Sequence, residues 1–205
     1  MEKLIDIDGN EYQTVQIGNQ IWMAENLRVK HFRDGTPILH APSHEDWLGA
    51  SGKFAKSLPA WCSYNNELEN ENKYGLLYNY FVIIHSNWES KIAPEGWRSA
   101  EAMDFEDMFS NLDGKPLPYG FSLLSGKLKA KNELCDNPFH NESGFSALPS
   151  GGRLTKLRPT LTELNWEQYP KALEESKTFE PIIAFMGLGG NCNFWTSGPG
   201  LKGYC

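Results

Sequence analysis

In "DIDGNEYQTVQIGNQIWMAENL", residues 6–27, Asp6, Asp8 and Asn10 recur at every second position, the spacing with which a calcium loop presents its oxygen ligands. An EF-hand loop needs Gly at its sixth position and Glu at its twelfth, whereas Gly9 is fourth and Ile17 twelfth counting from Asp6. The same letters also read as hairpin punctuation. Leu4, Ile5 and Ile7 precede Asp8-Gly9, Tyr12, Val15 and Ile17 precede Gly18-Asn19, and Ile21, Trp22 and Met23 follow. Turn pairs between β-formers predict two successive hairpins in a meander, and this reading is preferred to calcium. Glu25 and Asn26 have oxygens for a cation, but just past a strand they more readily satisfy backbone groups.

His40 and His44 are four apart, a spacing that on a helix would aim both imidazoles at one metal. Pro42 lies between them and breaks such a helix, and no third ligand is evident, so surface histidines are expected. The four cysteines, Cys62, Cys135, Cys192 and Cys205, form no CxxC pair and are too few for a disulfide scaffold. A Cys-His nucleophile would need a base beside a thiol, and no such juxtaposition is legible. No catalytic residue, metal ligand or cofactor is therefore assigned. Among the tryptophans, Trp22, Trp61 and Trp97 adjoin β-rich or capping segments and are expected in the core. Trp47, Trp88, Trp166 and Trp195 fall among loop-type residues, a mix that adapts to sugars or protein surfaces. "GGNCNFWTSGPG" (189–200), with Asn191, Asn193 and Trp195, is the best single candidate ligand surface.

These residues need a frame. The 205 residues suffice for one domain, and a net charge of −7 opposes a phosphate backbone, Lys127, Lys129 and Lys131 being the only basic cluster. Nucleic acid is not an expected partner. No stretch approaches the roughly 20 apolar residues that span a bilayer. The chain enters patterned sequence at once, without the charged and apolar regions of a leader, so it is expected to be cytosolic or to have lost one. Pro37, Pro42 and Pro59 with Gly35, Gly49 and Gly52 predict surface loop with short pieces over residues 31–66. "KYGLLYNYFVII" (73–84) has Tyr74, Leu77, Tyr78 and Phe81 at helical spacing and is read as helix, although its composition also suits a strand. "SAEAMDFEDMFSNLDG" predicts a helix capped by Ser99, striped by Phe105, Met108, Phe109 and Leu112, and closed by Gly114. Short strands and turns follow, then a less regular stretch at 154–181 broken by prolines. The expected fold is α+β, with short antiparallel strands, one or two helices and extensive loops.

Several blocks in order resemble the Fibrobacter succinogenes major paralogous domain, a bacterial module of the C-type-lectin-like and formylglycine-generating-enzyme-like fold group. They are residues 6–27, "WCSYNN" (61–66), "YGLLYNYF" (74–81), "APEGWRSAEAMDFEDM" (93–108), "SGKLKA" (125–130), "NESGFSALPSGGR" (141–153) and "NFWTS" (193–197). The resemblance implies one lectin-like domain over residues 1–205, with a family-atypical segment at about 154–192, and an exported or cell-surface setting. Three departures stand out: Arg98 runs directly into Ser99 and Ala100, the stretch between Arg153 and Phe194 is long, and the sequence stops at Cys205 where the family usually continues through a further strand pair. A compressed last strand, a shortened chain, or pairing supplied by a partner or a second copy would each account for the third; an unpaired edge is otherwise a liability. The resemblance implies a non-catalytic recognition or assembly module for a protein or glycan. The enzymes of the group hold copper through paired thiols, so the alternative is an oxidoreductase in which Cys192 and Cys205, or Cys62 and Cys135, converge. A sequence-diversified ligand-binding protein is a further alternative. The Glu-Pro-Asn or Gln-Pro-Asp and Trp-Asn-Asp motifs of calcium-dependent lectins do not occur.

Overall fold

In the computed structural model, which describes residues 3–51, 58–84, 91–113, 127–130, 141–156, 182–188 and 194, the first turn is built around one carboxylate. Asp6 is buried. Its Oδ1 accepts the N–H groups of Asp8 and Asn10 (both 2.9 Å), and its Oδ2 accepts the Tyr12 hydroxyl (2.6 Å) and Asn10 Nδ2 (2.8 Å). Strand β1 (Leu4–Ile5) thereby folds back on β2 (Glu11–Tyr12) in antiparallel register. The second hairpin pairs β3 (Thr14–Ile17) with β4 (Gln20–Met23). Gly18 has φ +57°, the positive first position of a type II′ turn, and a side chain there would strike Asn111. Both expected hairpins are present, but as two separate ribbons rather than one meander sheet. The chain changes course at Gln13, whose N–H donates to Glu25 Oε1 and whose carbonyl accepts the Ala24 N–H.

The centre is a three-stranded sheet in the order β5 (Leu39–His40), β6 (Ala60–Cys62), β7 (Leu77–Tyr78). β5 and β6 run parallel, contrary to the all-antiparallel expectation, while β6 and β7 are antiparallel. Alternation along the strands sends Trp61 and Tyr78 to one face and Ala60, Cys62 and Leu77 to the other. On the first, Trp61 joins Val29, Phe32, Ile38, Leu76, Val82 and Ile92. On the second, Ala60 and Cys62 pack with Ala41, Trp47 and Ala50.

Residues 31–66, expected as loop, include helix α1 (His44–Ser51), which begins immediately after the Pro42 break. Ser43 caps it, its hydroxyl oxygen accepting the Asp46 N–H at 3.0 Å. Helix α2 (Leu68–Tyr74) ends at Gly75, where φ is +77° and an added Cβ would lie 2.8 Å from the Asn26 side chain. That close approach brings Asn26 Nδ2 to the Tyr74 carbonyl (2.8 Å) and the Leu76 N–H to the Leu27 carbonyl (3.1 Å). The expected helix over 73–84 is instead the end of α2, strand β7, and a short helix α3 (Phe81–Ile84). β7 takes the strand option because β6 offers its ladder there.

The predicted amphipathic helix is α4 (Ala102–Asp113). Its stripe of Phe105, Met108, Phe109 and Leu112 packs with Val15, Ile17 and Trp22 from the second hairpin and with Phe145 and Ala147. Its first turn closes at Glu101 and Asp104, two positions past the expected Ser99, with the Asp104 N–H donating to the Glu101 carbonyl (3.1 Å). The Asp104 carboxylate accepts the Glu101 N–H (2.7 Å) and holds Arg98 through two bonds of 2.6 and 2.7 Å. A last ribbon pairs β8 (Ser150–Lys156) with β9 (Ile182–Leu188). The described structure is thus mixed α/β, with small sheets, four α-helices rather than one or two, and a short 3-10 helix at Tyr64–Asn66.

The Arg98 guanidinium, followed by the Glu101 amide, holds the Asp104 carboxyl below the usual carboxylate range against the opposing pull of burial. A depressed folded-state value adds stability that is present above the unfolded value near pH 4 and is lost as pH falls through the folded value. Thermal melts of the wild type and Asp104→Asn should therefore differ at neutral pH and converge in acid; a gap unchanged down to pH 2 would contradict this origin.

Candidate functional site

The residues expected to meet a ligand are placed unevenly. Trp47 lies on α1 and is only 4% exposed, part of the core rather than a loop contact. Trp88, Trp166, Asn191, Asn193 and Trp195 lie outside the described residues. Their neighbour Phe194 is 38% exposed, with ring centroids 5.7 Å from Phe145 and 6.2 Å from Phe105. Of the tryptophans expected inside, Trp61 is buried, and Trp22 and Trp97 are partly so. Trp61 donates Nε1–H to the Ile38 carbonyl (3.1 Å).

Trp47 is one wall of a latch. Arg153, on β8, places its guanidinium 4.8 Å from the Trp47 ring and 4.9 Å from that of Phe185, which lies opposite it on β9. The same group donates to the carbonyls of Ala41 (2.7 Å), Pro42 (3.1 Å) and Ser43 (2.8 Å), just ahead of α1. One side chain thus joins the last ribbon to the central sheet. Cys62 lies against it. Burial pushes the thiol up from its ordinary value, and the adjacent guanidinium only partly offsets this. A fully enclosed, protonated thiol is a poor nucleophile and a poor metal ligand. Cys135, Cys192 and Cys205, which the copper alternative requires, lie outside the described residues.

The other candidate ligands have partners within the fold. Asp6 has both oxygens engaged in its own turn. Asp8 accepts the Lys30 N–H and lies 2.6 Å from His31 Nδ1. Glu25 bonds the Gln13 amide and Arg28, and Asn26 bonds Tyr74, the backbone-satisfying role expected of this pair. His44 opens α1 while His40 is on β5, stacked on Trp61 at 4.1 Å, so the two do not share a helix. Among the described residues no three His, Cys, Asp or Glu side chains gather as a metal set.

One open groove, of about 410 Å³, lies at the start of β5 and β6. Pro37, Leu39, Leu58 and Pro59 line it together with the buried Phe32. Leu39 and Leu58 are 43% and 36% exposed. Its charges are Asp34 and Lys91, 3.3 Å apart. The Thr36 amide and side chain, with help from Lys91, lower the Asp34 carboxyl to about 2, so the carboxylate stays ionised. Pro37 and Pro59 were read in the sequence only as loop breakers, and the other lining residues were not singled out. The available signal was a Leu within two positions of a Pro in both "TPIL" and "SLPA", and in the second the Leu directly precedes the Pro, where the chain is biased to stay extended.

The chain matches the family model of the Fibrobacter succinogenes major domain over residues 15–201, and it belongs to that family. No curated protein and no solved structure matches it significantly. No described helix is long and apolar enough to cross a membrane.

Truncating Arg153 to Ala removes three carbonyl bonds and two ring contacts, and should lower unfolding free energy by about 2–4 kcal/mol in urea titrations. Lys, a point charge without the planar fork, should restore only part of it. A loss under about 0.5 kcal/mol for the Ala variant would show that the latch is dispensable.

Proposed function

We propose that this family member is a recognition or assembly module with a lectin-like fold, and that it binds a segment of another protein in the groove at Leu39 and Leu58. The observation that carries the reading is a pair of half-exposed leucines in a proline-lined groove whose charges neutralise one another. Exposed leucines are unremarkable singly, but grouped in a concavity they favour an apolar guest. Covering each contributes on the order of 1 kcal/mol, a share of the full-burial value for leucine. Glycans are held mainly by flat aromatic faces and arrays of amides, and the indoles of Trp47 and Trp61 are turned inward. Protein is therefore preferred to glycan. Trp88, Trp166, Asn191, Asn193 and Trp195 remain proposed contacts on the loop side, and an exported or cell-surface setting is proposed with the family.

The test pans a displayed library of random twelve-residue peptides against the intact chain, with a glycan array in parallel. Apolar peptides should be enriched, and Leu58→Asp should weaken them about tenfold or more. Enrichment of glycans alone, or peptides indifferent to Leu58→Asp, would overturn the proposal.

A further inference from the structure

β5 is an edge strand, and its hydrogen bonds are directional. The Leu39 N–H donates to the Pro59 carbonyl (3.2 Å) and the Ala41 N–H to the Trp61 carbonyl (2.9 Å), so these two residues face β6. By alternation, the N–H and C=O of His40 point the other way. Two residues earlier, that outer side is covered: the Ile38 N–H donates to the Lys30 carbonyl (2.9 Å), and the Phe32 N–H to the Thr36 carbonyl (2.8 Å). The covering strand then leaves, since the Arg28 N–H turns to the Tyr12 hydroxyl (2.9 Å). Beyond His40 the edge closes again, because Pro42 has no N–H and its carbonyl accepts from Asn66 and Arg153. Among the described residues the opening is one residue long and lies beside Leu39, which lines the groove.

We infer that the occupant of the groove is an extended, uncharged or basic peptide segment that makes a single β-bridge to His40; this rests on the protein-binding reading above. An exposed backbone donor and acceptor on one residue match the amide pair of another chain, which a glycan does not supply. The residue opposite His40 turns its side chain toward the exposed imidazole stacked on Trp61, and its two neighbours turn theirs to the Leu39 side. An aliphatic neighbour then enters between Leu39 and Leu58. Charge selects further: the groove is locally neutral through Asp34 and Lys91, whereas the whole chain carries −7 and repels an acidic segment or a second copy of itself.

The experiment uses the peptides enriched on the intact chain and compares His40→Pro, His40→Ala and Leu58→Asp. Proline removes the outward N–H, which makes no bond among the described residues, and edge positions tolerate it. Binding should fall tenfold or more in His40→Pro and change less than threefold in His40→Ala. Bound peptide should also slow hydrogen exchange of the His40 amide in the wild type, a readout that decides the matter should His40→Pro fail to fold. Loss in Leu58→Asp, with His40→Pro and His40 exchange unaffected, would leave the groove reading standing and overturn the bridge. Binding by glycans alone would overturn both. A wild-type dimer in sedimentation that His40→Pro dissolves would identify a second copy as the occupant and overturn the peptide assignment.

Discussion

The architecture depends on a partly buried cation that has no carboxylate partner among the described residues. Arg153 exchanges water for three backbone carbonyls and two aromatic faces, which together offset a desolvation cost that Coulomb attraction alone would meet only in good geometry. The carbonyls it takes precede α1, where the chain leaves β5 and needs acceptors satisfied. Only Arg153 Nε is left without a nitrogen or oxygen partner, and the polarizable Cys62 sulfur is the neighbouring group. The planar fork is what makes this possible, because its donors reach several carbonyls at once while its faces remain free for rings.

From that point the two faces of the central sheet diverge in use. The face carrying Trp61 is sealed by a full apolar cluster, and the Tyr78 hydroxyl closes it by donating to the Val29 carbonyl at 2.7 Å. The opposite face is covered by α1 and Phe185 over Ala60 and Cys62 but thins toward Leu39. The groove is therefore the unfinished end of a core layer. Asn79 stiffens its far wall, accepting the Ala60 N–H and donating to the Leu58 carbonyl, so Leu58 is presented on rigid backbone.

Local signals carried the local structure. Turn pairs and alternation foretold both hairpins, and the 3.6-residue stripe foretold α4, because each is decided within a dozen residues. Contacts between distant segments were not legible. Nothing around Trp47 signals that a guanidinium more than a hundred positions away will enclose it, and an indole among Ser, Asp and Gly reads as surface until it does. Tertiary pairing likewise turned Leu77 and Tyr78 from helix to strand, overriding a spacing that fits both. Ser99 was the natural cap by type, yet the helix begins at Ala102, and it is Asp104 that serves Glu101 and Arg98 together.

The site was the least legible part. Aromatic and amide side chains drew attention because they are versatile in chemistry, whereas the groove is made of prolines and leucines with no chemistry of their own. What distinguishes these residues is incomplete burial, a property of the assembled fold. The terminal ribbon has a different consequence. Because Arg153 and Phe185 face each other in mid-ribbon and lock it to the sheet, the alignment of its two strands is set independently of what joins them. A change in the number of residues joining β8 to β9 then carries only a small loop-closure cost and leaves the frame intact.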